Sequence, residues 1–118
     1  MSVHVFSLPG EVDRVIDGDS LVVHLGIMPG KELHGEHVRL QGINAPELRH
    51  AGGPAARDYL RTLLPEGTPI TLVASQMDKY GRLLARVVLA DGRDAAEVLL
   101  AAGHAQPMAG MRSVFEQA

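Results

Sequence analysis

Residues 11–25 read EVDRVIDGDSLVVHL, two β-type runs on either side of Asp17-Gly18-Asp19-Ser20. Val and Ile recur through Glu11–Ile16 and Leu21–Leu25, and the residues between them favour a tight turn, so the segment predicts a hairpin. Downstream, Gly26–Gly35 carries Gly and Pro and reads as a loop leading to a third strand at His37–Leu40. Gly42–Gly53 is rich in Gly, Pro and Asn and reads as irregular. Pro54 suits a first helical residue, and Ala56, Leu60, Leu63 and Leu64 recur at helical spacing within Ala55–Leu64. Pro65 and Gly67 end that helix. Thr68–Val73 and Leu83–Leu89 are two more strands, joined by the polar segment Ser75–Arg82. Asp91-Gly92 is a turn. Asp94 with Glu97 three residues later reads as a helix cap with a reciprocal partner, for a helix at Ala95–Ala102 that Gly103 stops. Beyond His104 the pattern is weak, with a short helix near Met111–Phe115. The order of elements predicts an α+β, mainly β fold: a five-stranded Greek-key barrel with two or three flanking helices.

The chain has 118 residues, the size of one domain, expected to span 1–118 with a weakly patterned tail at 106–118. With 46% apolar and 21% charged residues the composition is globular, and a chain of this length buries a core without staples. The absence of Cys excludes disulfides, thiolate nucleophiles and Cys-based zinc sites. Two Tyr, two Phe and no Trp argue against an aromatic base-stacking surface. The formal charge is −3, so any contact with nucleic acid must come from a local site and not from a basic surface. No stretch is apolar enough to span a membrane. The start, MSVHVFSLPGEVDRV, lacks a basic leader and an apolar run, so a cytoplasmic location is expected.

Three polar clusters fall in predicted connections, where sites are usually built: Asp17–Ser20, Arg39–Glu47 (RLQGINAPE) and Asp78–Arg82 (DKYGR). Taken singly they read as a hairpin turn, a turn with a solvated Glu, and a loop with a weak local ion pair. Taken together they are complementary. Asp19, Asn44 and Glu47 offer oxygens to a hard cation, and Arg39 and Arg82 offer planar forks that match phosphate. These are parts for one-metal hydrolysis of a phosphodiester.

The same clusters, DGDS, RLQGINAPE and DKYGRLLA, resemble the staphylococcal (micrococcal) nuclease family, whose motifs run D-G-D-[ST], R-L-x-G-I-D-x-P-E and D-[KR]-Y-G-R-x-L-A. The likeness runs over about residues 12–105. It implies an OB-fold barrel and calcium-dependent cleavage of single-stranded DNA or RNA to 3′-phosphate ends. Asp19 falls on a calcium ligand of the family, and Ala45 on a position whose backbone carbonyl ligates calcium. Arg39 and Arg82 fall on the arginines that bind the scissile phosphate, and Glu47 on the carboxylate that orients or deprotonates the attacking water. Asp17, Lys79 and Tyr80 are expected to support these residues or touch substrate.

Asn44 departs from the motif, which has Asp there as a second charged ligand. An amide oxygen still coordinates Ca²⁺. Two unit charges about 4 Å apart at an effective dielectric near 20 interact by about 4 kcal/mol, so the lost charge predicts metal affinity weaker by roughly one to three orders of magnitude. The chain also lacks the basic, Tyr-bearing tail of the family prototype. A second reading therefore stands beside the nuclease: a non-catalytic module that binds nucleic acid or a protein partner. A monomer is expected in either case. Arg49, Arg57 and Arg61 are candidates for a positive rim, with a solvated helix face as the favoured reading. His34 and His37 sit in a predicted turn and do not aim at one metal as a helical pair does.

Overall fold

The structure, a computed structural model, describes residues 6–108. Along the chain run β1 (Phe6–Asp17), β2 (Ser20–Met28), β3 (Lys31–Leu40), β4 (Ile43–Asn44), α1 (Gly53–Leu63), β5 (Pro69–Met77), β6 (Leu83–Leu89), α2 (Ala95–Ala101) and β7 (Gln106–Pro107). Five strands close into a barrel in the order β1-β2-β3-β6-β5, with α1 against β1 and α2 against β6. This is the expected mainly β, OB-fold-like barrel with helices. The short helix expected near Met111–Phe115 lies outside the described residues.

Alternation builds the core. Leu21, Val23 and Leu25 of β2, Ile70, Leu72 and Ala74 of β5, and Ala85, Val87 and Leu89 of β6 all point into the barrel. Leu60 and Leu64 from the α1 segment and Leu99 from α2 join the same cluster. Burying one such Leu contributes about 1.5–3 kcal/mol. Asp94 caps α2 by accepting the Ala96 N–H at 2.8 Å, as its position in the sequence suggested. Its other oxygen accepts from Arg86 Nε at 2.7 Å, so the cap is reinforced from β6 and not by the Glu97 side chain. Gly103, at φ 80°, ends α2 while the Gly103 and His104 N–H groups return to the Leu100 and Leu99 carbonyls. No helix among the described residues is long and apolar enough to cross a membrane.

Three connections differ from the sequence reading; in the simplest, β5 runs on through the start of the expected Ser75–Arg82 connection to Met77, opposite Leu83. Gly26–Gly35 is not a loop: β2 runs on to Met28, turns at Pro29-Gly30, and returns as β3 from Lys31, with Met28 opposite Lys31. Leu25 is the last buried residue of β2, so beyond it an exposed ladder carries no alternating pattern. Gly35, at φ 71°, takes the bulge in β3, and its N–H donates to His24 Nδ1 at 3.2 Å. Similarly, Gly42–Gly53 is not wholly irregular, because Ile43 pairs with Pro107 and Asn44 with Gln106. A two-residue strand of this kind is defined by its distant partner and has no period of its own.

One glycine decides how closely the site segments approach. A Cβ at Gly18 would lie 2.7 Å from the Ala45 Cβ and 2.8 Å from the Ala56 Cβ. The β1–β2 turn, the segment after β4 and helix α1 therefore meet at a point with no spare volume. Gly18→Ala is expected to lower stability by about 1–3 kcal/mol through overpacking, read as a lower urea midpoint at unchanged slope.

Candidate active site

The β1–β2 turn is built from its own side chains. Asp17 Oδ1 accepts the Asp19 N–H at 3.1 Å and the Ser20 hydroxyl at 2.7 Å, which fixes the turn and points Asp19 across the barrel end. Asp19 Oδ2 accepts the Ala45 N–H at 2.9 Å and stands 3.4 Å from Arg39 Nη1. Ser20 is the cross-strand partner of Arg39, so the turn and the end of β3 are neighbours by register.

Arg39 is buried, and its donors are consumed close to home. Nη1 donates to the Leu40 and Ile43 carbonyls at 3.0 and 2.9 Å, and Nη2 to Asn44 Oδ1 at 2.6 Å. The guanidinium thus stitches the 40–44 segment to the strand, as a buried cation must find acceptors. Arg82 is held differently. Asp78 Oδ1 accepts the Tyr80 and Arg82 backbone N–H groups, each at 2.9 Å, and Asp78 Oδ2 accepts Arg82 Nε at 2.7 Å. The Arg82 side chain is one-third exposed, with the Tyr80 ring 5.6 Å from Cζ. Glu47 is exposed and accepts from Arg49 Nε at 2.8 Å, with His50 Nε2 at 3.9 Å.

These pieces surround one open hollow of about 700 Å³. Asp17, Asp19, Arg39, Asn44, Ala45, Glu47 and Arg82 line it, together with Leu48 and Arg49. Residues from all three sequence clusters line this hollow. Lys79 and Tyr80 do not line this hollow; they lie with Arg39 and Arg82 along an adjoining groove. Arg57 and Arg61 pair with Asp58 on α1 and are not in the lining, in keeping with a solvated helix face. Sequence reasoning missed Asp78, dismissed as half of a weak ion pair, and Arg49, grouped with the two helix arginines. The Asp-x-x-x-Arg spacing around Gly81 was the available signal for the first; nothing local marked the second.

Among the described residues no three His, Cys, Asp or Glu side chains gather as a metal cluster. His34 faces His24, ring centroids 4.9 Å apart, and not His37. Burial pushes the Asp19 carboxyl up to about 6, outweighing the Ala45 N–H and Arg39 that oppose it, while the neighbouring Asp17 adds repulsion. Asp17 moves the other way: burial raises it, but hydrogen bonds from Ser20 and Asp19 hold it below the ordinary 3.8. The hollow therefore carries a carboxylate whose charge is only partly compensated.

The family model described as Staphylococcal nuclease homologue matches residues 37–118. The chain belongs to the staphylococcal nuclease family. An "Uncharacterized endonuclease" of Escherichia coli O157:H7 is 33% identical over 96 residues, covering 81% of this chain and 58% of that protein. "Endonuclease YhcR" of Bacillus subtilis (strain 168) is 36% identical over 109 residues, covering 81% of this chain and 8% of the relative. "Protein ParB" of Escherichia coli is 38% identical over 80 residues, 68% of this chain and 41% of that protein. The chain thus spans 58% or less of the length of these relatives. Within this staphylococcal nuclease homologue, the matched segment starts at the buried end of β3 and takes in Arg39, Asn44, Ala45, Glu47 and Arg82, while the Asp17–Ser20 turn precedes it.

Asp19 sets a pH dependence. It holds a proton more tightly folded (about 6) than unfolded (3.8), so its contribution favours folding at low pH and is lost as pH rises from about 4 to about 6. Asp19→Asn keeps an acceptor for the Ala45 N–H and removes the charge. The variant is expected to melt about 5–10 °C higher than wild type at pH 7.5 in chelator, with the gain gone near pH 4. Thermal melts across pH check this.

Proposed function

We propose that the chain is an endonuclease that hydrolyses phosphodiester bonds of single-stranded DNA or RNA with the help of a divalent cation. The observation that carries this reading is the meeting of Asp19, Glu47, Arg39 and Arg82 around one hollow, in a chain whose relatives include proteins named endonucleases. The donors fit a hard cation such as Ca²⁺: they are oxygens only, and the half-buried Asp19 carboxylate has charge left to neutralise. Asp19, the Ala45 carbonyl and Asn44 Oδ1 would hold it, with Asp17 in support. When bound, the cation supplies Lewis-acid polarisation of a phosphoryl oxygen.

The chain's own residues do the rest. Glu47 is solvent-facing and takes the proton of the attacking water as the oxygen–phosphorus bond forms. The ester bond on the far side breaks, and its oxygen takes a proton from solvent. Arg82 presents free Nη donors to the charge that develops on phosphorus-bound oxygens, and Asp78 keeps those donors aimed. Arg39, locked by carbonyls, adds fixed positive charge without any cost of reorganisation. Tyr80 and Lys79 extend the contact surface along the adjoining groove. A monomer suffices, since every group named comes from one chain.

Asn44 favours a second reading. Its oxygen is already engaged by Arg39 at 2.6 Å, so it is a shared and uncharged ligand, and a module that binds nucleic acid without cutting is the result if the cation fails to bind. Digestion of single-stranded DNA with and without Ca²⁺ separates the two. Under the first reading, cleavage needs Ca²⁺; Glu47→Ala and Arg82→Ala each lose roughly 100-fold or more, and Asp78→Asn about ten-fold. Asn44→Asp is expected to lower the half-saturating Ca²⁺ concentration by about ten-fold or more. No cleavage by wild type or Asn44→Asp above a Glu47→Ala/Arg82→Ala double variant sinks the nuclease reading. Binding that survives chelation and ignores Glu47→Ala then supports the second.

A further inference from the structure

Three arginines line the hollow, and each is paired with an acid, but not in the same way. Arg39 is enclosed by carbonyls and Asn44, and Arg82 is locked by Asp78, an acid outside the hollow's lining. Arg49 alone has the water-activating candidate, Glu47, as its partner. That pair is exposed, 78% for Arg49 and 66% for Glu47, so it contributes about 0–1 kcal/mol and is readily surrendered. A phosphate dianion or diester offers a guanidinium a better, bidentate match than one carboxylate oxygen in water. The hollow, at about 700 Å³, is the size of a pocket for a whole drug-sized ligand and exceeds a single phosphate group.

We infer that Arg49 binds the backbone phosphate next to the scissile one, and that this capture releases Glu47 to act on water. This rests on the phosphodiester reading above. Occupation of Arg49 by Glu47 in the free protein makes the carboxylate more available when a chain of at least two phosphates is bound. Single phosphodiesters are then poor substrates, and strand length is sensed at the reacting carboxylate. His50, the other group near Glu47, stands further off at 3.9 Å and does not substitute for Arg49.

The test compares octathymidylate with thymidylyl-thymidine, which holds one phosphate only, for wild type, Arg49→Gln and Arg49→Lys. Binding of octathymidylate is measured in chelator as a function of salt. Arg49→Gln is expected to lose about ten-fold more kcat/KM on the octamer than on the dinucleoside, the size of one charge-assisted hydrogen bond. Its salt slope is expected to fall by about 0.7, the value of one single-strand phosphate contact, while Arg49→Lys keeps the slope. Equal losses on both substrates, as binding to the scissile phosphate or a general folding defect produces, overturn the inference, and so does an unchanged slope. If wild type cuts neither substrate, the phosphodiester reading has failed by itself; the salt slope then decides Arg49 alone, a fall supporting phosphate capture and no change overturning it.

Discussion

The parallel pairing of Val38–Leu40 with Leu83–Ala85 is the contact on which the rest depends. The other strand pairs of the barrel are antiparallel, and this short parallel stretch is what closes the ring. It brings the end of β3 beside the start of β6, so Arg39 and the Asp78–Arg82 turn share one barrel end. The β2–β3 register adds the Asp17–Ser20 turn to the same place, through Ser20 opposite Arg39. Two backbone bonds lock the junction: Leu40 N–H to the Asp19 carbonyl at 2.8 Å, and Gln41 N–H to the Ala85 carbonyl at 2.9 Å. A one-residue slip in either register would turn Arg39 from the hollow to the opposite face.

Charge is managed here by fixed local partners. Arg39 needs acceptors because it is buried, and the Leu40 and Ile43 carbonyls provide them while shaping the very segment that carries Asn44 and Ala45. Asp19 receives less compensation, and burial raises its proton affinity. A Cβ at Gly53 would overlap the Glu47 carbonyl oxygen, so the compact 47–53 segment that presents Glu47 and Arg49 requires glycine at its junction with α1.

An overall charge of −3 is compatible with such a site because the arginines act at short range. Within the hollow, guanidinium groups are balanced by Asp17, Asp19 and Glu47, leaving a pattern of sign and little net field. In the proposed function, recognition of a polyanion would come from exchange of partners at single residues, with Arg49 and Glu47 the exposed pair. This differs from a basic surface, where net charge itself drives binding and every lysine counts.

The strands at Glu11–Ile16, Leu21–Leu25 and Leu83–Leu89, the Asp94 cap and the Gly103 stop were legible because each rests on local periodicity or turn chemistry. Asp19, Arg39, Asn44, Ala45, Glu47 and Arg82 of the hollow were legible as motifs, since residue type and spacing survive without coordinates. What sequence alone left hidden was set by distant neighbours. The outer arms of β2 and β3 bury no alternating face, and β4 exists only because β7 returns beside it. Asp78 and Arg49 gained meaning from the groups they touch, and Asn44 from an oxygen turned to Arg39. Local chemistry thus determined the elements that carry their own period or cap and the types of group available, whereas strand register and backbone contact decided the remaining elements and which of those groups stand within reach of one another.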